Sequence, residues 1–182
     1  MLFKIIWVLR ALLYKPFFGS LVLPSYIGKP CFLFGLSKIH IGKKVRIFPG
    51  LRAEAHGDGK IIINDNVSIG QNAHLTSAGS LVVGRDTVIA ADVMITNIDH
   101  EFQTIGLPIL DQPWKISETV IGENCYIGHG ARIQAGTKLG RHCVVGTNSV
   151  VRGEFQDYSV IVGTPSRVVK IYCQTSKQWE RV

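Results

Sequence analysis

Residues 121–151 read IGENCYIGHGARIQAGTKLGRHCVVGTNSVV, and an aliphatic residue returns at every sixth position: Ile121, Ile127, Ile133, Leu139, Val145 and Val151. Neither the period of about 3.6 residues of an amphipathic helix nor the alternation of a half-buried strand gives that spacing. The same pattern runs back through Val83, Ile89 and Ile95, through Ile63, Ile69 and Leu75, and through Ile41, Ile47 and Ala53. Fourteen of these fifteen positions are Ile, Leu or Val. Branched aliphatics fill roughly a quarter of an ordinary globular chain, so a repeated structural unit has to account for the run.

Gly follows the aliphatic at 42, 70, 84, 122, 128, 140 and 146, and the fourth residue after it is often small, as at Ala73, Thr87, Cys125, Ala131, Thr137, Cys143 and Ser149. A short flat strand supplies one inward aliphatic, a permissive residue turns the corner, and three such sides close a triangular coil. Stacked coils bury the aliphatics in columns, which predicts a parallel β-helix. Coil starts at 41, 63, 83, 121 and 139 lie 22, 20, 38 and 18 residues apart. The largest excess over eighteen falls between His100 and Ile121, so a loop of about residues 101–120, EFQTIGLPILDQPWKISETV, is expelled from the coil. Loops of this kind carry function more often than the regular rungs do. Cys125 and Cys143 fall eighteen apart at equivalent places and are expected to stack as small buried side chains rather than act as nucleophiles.

The 182 residues carry a net charge of +7, unevenly placed. Residues 1–60 hold ten Lys or Arg against Glu54 and Asp58, whereas the remainder is nearly balanced. The front therefore suits an anionic partner. Residues 2–13, LFKIIWVLRALL, mix a dense apolar run with Lys4 and Arg10, too interrupted for a membrane span and without the cleavage pattern of a signal peptide. They read as a retained helix. Trp7, Phe3 and the aliphatics beside basic residues suit an anionic membrane surface, with the basic side chains reaching the head groups; packing on the same protein or on a neighbouring subunit is the other reading. Four cysteines without CxxC spacing give no zinc knuckle or disulfide framework and point to a reducing cytoplasm. The basic front is an apolar helix rather than an open stacking surface, which argues against nucleic acid.

The hexads, the segment ITNIDHEF at 95–102 and the closing VGTPSRVVK at 162–170 together resemble the left-handed β-helix acyltransferases, in particular the bacterial sugar O-acetyltransferases that modify O-antigen, colanic acid or galactosides. The resemblance covers about residues 38–172. It implies an all-β, left-handed parallel β-helix, a homotrimer with sites between subunits, and acetyl-CoA as co-substrate with no permanently bound cofactor. Handedness rests on the resemblance, since the period is silent about it. The expected division is a helical segment at 1–24, the β-helix with its inserted loop at 25–165, and a tail at 166–182.

The resemblance further implies that His100, immediately before the loop, is the general base. A sugar hydroxyl is a poor nucleophile, and a positioned imidazole can take its proton as it attacks the thioester directly. Asp99 precedes it, but neighbours on an extended segment point to opposite sides, and its role stays open. Residues matching cofactor contacts are Tyr126, His129, Thr147, Arg152, Gly153, Thr164, Pro165, Arg167 and Lys170. Tyr126 equally suits packing by the loop, His129 equally suits the acceptor pocket, and the cations Arg167 and Lys170 fit the phosphates of CoA or a solvated terminus. Asn72 matches a substrate-binding position, though Asn also simply suits a β-helix corner. His40, His56, His74 and His142 carry no signal beyond the repeat.

Two other functions fit hexad repeats. A γ-class carbonic anhydrase binds zinc through histidines, but no histidine follows His100 until His129. A non-catalytic scaffold subunit would account for the coils, but not for a histidine before the loop or for the terminal GTPSRVVK. The resulting expectation is a cytoplasmic acetyl-CoA-dependent sugar O-acetyltransferase of surface polysaccharide synthesis, peripheral to the inner membrane if the front segment binds lipid.

Overall fold

The computed structural model describes residues 2–182, with side chains from residue 4 onward, so the expectation for the Phe3 side chain lies outside the described residues. A helix, Leu2–Tyr14, leads into a parallel β-helix whose three faces are stacks of short strands. The first face stacks Ser20–Leu21, Ile39–Ile41, Lys60–Ile63, Ser80–Val83, Thr119–Ile121, Lys138–Leu139 and Glu154–Phe155. The second begins with Tyr26–Ile27, Arg46–Ile47 and Ser68–Ile69, and runs through Val88–Ile89, Tyr126–Ile127 and Val144–Val145 to Ser159–Gly163. The third stacks Phe32–Phe34, Arg52–Ala55, His74–Ser77, Met94–Thr96, Arg132–Ile133 and Val150–Val151.

The coil register is the one the aliphatic spacing requires. Ile41 pairs with Ile63, Ile63 with Val83, Val83 with Ile121, and Ile121 with Leu139. Each strand is too short to bury anything alone, so burial comes from stacking: Ile47, Ile69, Ile127, Ile133, Val145 and Val151 are wholly inaccessible. Fourth-position residues point inward at each corner, and Thr87, Cys125 and Cys143 form the column between the first and second faces. Their hydroxyls and thiols are donors to neighbouring carbonyls there: Thr87 Oγ1 to Gly122 O (2.9 Å), Cys125 Sγ to Gly140 O (3.2 Å) and Cys143 Sγ to Gln156 O (3.2 Å). The adjacent Cys143 side chain, together with burial, holds the Cys125 thiol well above the ordinary range, which suits a packing residue rather than a nucleophile.

The solenoid is longer than the run that begins at Ile41. Leu21, Ile27 and Leu33 form a complete earlier coil, with Leu21 paired to Ile41, Ile27 to Ile47 and Leu33 to Ala53. The coil therefore starts at Ser20, inside the segment grouped with the helix from sequence. Residues 166–182 form an antiparallel hairpin, Ser166–Cys173 with Gln178–Arg181, that extends the second face.

Unpaired strand edges are a liability, and each end of the stack carries an added element. At the last coil the hairpin pairs with the Ser159–Gly163 edge, and its Val168 packs against the core. At the first coil the helix packs on the Tyr26–Ile27 strand, where Trp7 meets Tyr26 and Phe48 at ring separations of 5.7 and 5.6 Å. Ala11 is buried, and Arg10 Nη1 donates to the edge carbonyl of Ile27 (3.1 Å).

Candidate active site

The loop leaves the solenoid from the third face and returns to the first. Its neck is a two-stranded antiparallel ribbon, Ile98–His100 against Trp114–Ile116, in which His100 lies opposite Trp114. Buried Asn97 fixes the exit: its side-chain amide donates to Ser77 Oγ (2.9 Å) and its carbonyl oxygen accepts from Ala78 N–H (2.9 Å). Thr119 fixes the return by donating to Thr96 O (2.9 Å). Gly79 leaves room for the ribbon, because a Cβ there would stand 2.6 Å from the Ile116 γ-methyl. Within the loop, buried Gln112 donates to the carbonyls of Thr104 (3.2 Å) and Leu107 (3.0 Å).

Alternation along the extended ribbon separates Asp99 from His100. Asp99 forms an ion pair with Arg152. His100 instead faces Trp114, with rings edge to face at 6.3 Å, and opens on a cavity of about 390 Å³. His56, His74, Thr76, Met94, Thr96 and Ile98 form the rest of its lining. Trp114 also meets the His56 ring at 5.4 Å, so the indole stands between two imidazoles.

Behind the cavity lies Glu54, 7% exposed and ion-paired with Arg52. Its carboxylate oxygens stand 3.3 Å from His56 Nε2 and 3.3 Å from His74 Nε2, and the Thr76 hydroxyl lies 2.7 Å from the same His74 nitrogen. The Arg52 hydrogen bond holds the Glu54 carboxyl below the usual carboxylate range. Burial and the nearby Arg52 cation push the His74 imidazole down, against the opposing pull of Glu54. A fixed carboxylate with a neutral imidazole beside it offers both hydrogen-bond acceptors and donors to a polyhydroxylated ligand.

Glu54, His56 and His74 carried no signal beyond the repeat when read along the chain. A signal was nevertheless present, because Glu54 and His74 are twenty residues apart and adjacent coils here are offset by about that number. Arg52 pairs with His74, and Glu54 with Thr76, so the four side chains fall on neighbouring rungs of one outward face.

The other expected site residues fall into separate groups. Asn72 occupies the corner between the second and third faces, at φ +56°, in a column of left-handed positions with Asp92 and Asn148. Its amide donates to Asp92 Oδ1 (3.1 Å), so in this chain it serves the turn. His129 and Thr147 lie at that same corner, His129 3.5 Å from Asp92 and Thr147 beside Asn148, whose carbonyl accepts from Thr164 Oγ1 (3.3 Å). Gly163, Thr164, Pro165 and Arg167 line a cavity of about 430 Å³. Tyr126 projects from the second face, between Val88 and Val144 of adjoining coils.

Arg167 and Lys170, three residues apart in sequence, meet around a cavity of about 490 Å³ that Arg181 also lines. Arg181 was invisible in the sequence reading, because its position depends on the hairpin that pairs it with Lys170. Arg152 and Gly153 lie at the opposite edge of the third face, beside the loop neck, where Arg152 holds Asp99. Within one chain, the His100 cavity shares no lining residue with the two cavities lined from Val162 to Lys170.

Residues 118–153 match the family model described as bacterial transferase hexapeptide (six repeats). Over 159 residues the chain is 34% identical to the putative lipopolysaccharide biosynthesis O-acetyl transferase WbbJ of Escherichia coli K12, covering 84% of this chain and 81% of that protein. The chain belongs to the hexapeptide-repeat acyltransferase family, and it is an acyltransferase. Its fold is shared with AntD, an N-acyltransferase from Bacillus cereus solved with dTDP and 3-hydroxybutyryl-CoA, at a TM-score of 0.75 and 20% identity over 92% of this chain and 90% of that one. It is shared also with a hexapeptide-repeat acetyltransferase of Vibrio cholerae solved with acetyl coenzyme A, at a TM-score of 0.59 and 20% identity over 88% and 74%.

Proposed function

We propose that this protein transfers an acetyl group from acetyl-CoA to a hydroxyl of a sugar destined for a surface polysaccharide, with His100 as general base. The observation that carries this reading is the position of His100 at the mouth of a cavity walled by Trp114 and backed by Glu54, His56, His74 and Thr76. An indole face beside several fixed polar groups suits a pyranose, which presents C–H groups on one side and hydroxyls at its rim. The likeness to WbbJ, described as a lipopolysaccharide O-acetyl transferase, supports the polysaccharide assignment.

In the proposed reaction the acceptor oxygen attacks the thioester carbon as His100 takes the hydroxyl proton. The tetrahedral intermediate collapses with loss of the CoA thiolate, and the proton on His100 returns to that sulfur. No acyl-enzyme is needed, because the thioester is already activated. Arg167, Lys170 and Arg181 would meet the phosphates of CoA, while Thr147, Gly153, Thr164 and Pro165 would flank the pantetheine arm, with Tyr126 and His129 as further contacts. Arg152 acts through Asp99 on the loop neck in this reading.

The separation of these groups within one chain supports a trimer in which the loop of one subunit reaches the next. The loop also presents Ile105, 94% exposed, and Leu110, 89% exposed, aliphatics that a neighbouring subunit would cover. Acetyl-CoA supply then puts the enzyme in the cytoplasm.

His100→Ala tests the base: with folding checked, kcat/KM should fall by about 10²–10⁴, and near-normal turnover would reject the assignment. The N-acyltransferase AntD makes an amine acceptor the second reading. Product lability separates the two, since hydroxylamine cleaves an ester and spares an amide.

A further inference from the structure

The helix Leu2–Tyr14 has two apolar sides, and the solenoid uses one of them. Trp7, Ala11 and Tyr14, spaced i, i+4, i+7, face the core, and the charged side chains turn the same way: Lys4 Nζ lies 5.9 Å over the Tyr26 ring and Arg10 holds Ile27 O. Of the two readings of the sequence, the membrane one had these two cations reaching head groups and the other had the helix packing on the same protein or a neighbouring subunit. The opposite side carries Ile5, Ile6, Leu9, Leu12 and Leu13, each about half exposed or more, and Phe17 continues it at 63%. Among the described residues, none of the side chains on this surface is polar.

Four lysines belong to the same end of the molecule, directly after the helix or in the first two coils. Lys15 follows the helix directly, Lys29 stands in the corner after the strand on which the helix rests, and Lys43 and Lys44 stand in the corner before the next strand of the same face. All four are exposed, and among the described residues none of their ammonium groups is ion-paired, although the Lys43 backbone N–H donates to Asp65 Oδ1 (2.8 Å).

We infer that this face docks on an anionic lipid bilayer, with the helix lying in the interfacial plane. The aliphatic side chains enter the acyl boundary and the lysines meet lipid phosphates. A helix of 13 residues reaches only about 20 Å, short of the roughly 30 Å hydrocarbon core, and no helix among the described residues is long and apolar enough to cross a membrane. The same lysines argue against a second copy as the occupant, because two such ends brought together would oppose like charges, whereas a phosphate surface complements them. Bilayer docking would hold the acceptor cavity close to lipid-linked glycans without changing the chemistry at His100.

Flotation of the full chain with phosphatidylcholine vesicles, with and without phosphatidylglycerol, tests this directly. The protein should float with the anionic vesicles, less with neutral ones, and less again in high salt. Leu9→Glu/Leu13→Glu, which leaves the Trp7–Ala11–Tyr14 side intact, should lower the vesicle partition coefficient at least about tenfold without altering mass or turnover on a soluble acceptor. Lys29→Glu/Lys43→Glu, which spares the helix, should weaken anionic binding by about fivefold per lysine and serves if the first variant misfolds. The inference is overturned if the unaltered protein stays unbound on anionic vesicles, if the leucine variant binds as well as it does, or if that variant changes the mass by light scattering, which would assign the face to a second copy. Turnover on a soluble acceptor reports separately on the acyltransfer reading.

Discussion

The rungs on either side of the loop and the loop itself are close in sequence and opposite in physical character. Ile95 and Ile121, the last inward rung position before the interruption and the first after it, are both fully buried, whereas Ile105 and Leu110 between them are almost wholly exposed. A rung is completed by its neighbours in the same chain, while the loop is held at its neck and left apolar at its tip. The coils therefore provide stability from within one chain, and the loop offers what only a second body can use.

Truncation at the two places should break the symmetry between otherwise similar side chains. Ile127→Ala, inside the stack, should destabilise by about 2–5 kcal/mol. Leu110→Ala should cost less than about 0.5 kcal/mol in the isolated chain, and its effect should appear in subunit association instead. Chemical denaturation of both variants beside sedimentation measurements checks this, and equal destabilisation would remove the distinction between rung and loop.

The neck joins the two regimes, and Gly79→Ala probes it. A Cβ at that position overlaps the Ile116 methyl, so the ribbon carrying His100 must shift. The expected result is destabilisation of about 1–3 kcal/mol accompanied by a fall in kcat, and unchanged kinetics would mean that the neck does not set the position of His100.

Glu54→Gln should give the smallest effect and a distinctive pH dependence. Because Arg52 holds the Glu54 carboxyl below its ordinary range, the charged carboxylate contributes stability that is fully present above that range. That contribution is lost as pH falls through the depressed value. The gap in denaturation midpoint between the native protein and Glu54→Gln should therefore be present near neutrality and close on acidification. A gap that widens in acid would reject the ion pair as its source.

Much of the scaffold was legible in the sequence because six-residue spacing fits stacked coils and neither a helix nor a half-buried strand, and spacings of 22, 20, 38 and 18 residues gave the coil register as well as the period, though not the handedness. The first coil escaped that reading although Leu21, Ile27 and Leu33 hold the phase, because the apolar stretch after the helix masks where the period begins. The candidate site was legible only where one residue sits at a conspicuous break, as His100 does. Glu54, His56 and His74 were not, since each looks like an ordinary outward residue of its own rung.

The sequence by itself determined the rungs, their stacking and the position of the interruption, because inward aliphatics at a fixed six-residue period bury one another only when successive coils stack. Tertiary structure decided which outward residues became neighbours. Stacking turned twenty residues of separation into direct contact around Glu54, the terminal hairpin brought Arg181 to Lys170, and packing of the helix through Trp7 and Ala11 left its aliphatic side, rather than its cations, facing outward. Outward positions face no constraint of period, so their pairing follows from how many residues each coil contains and not from any local pattern.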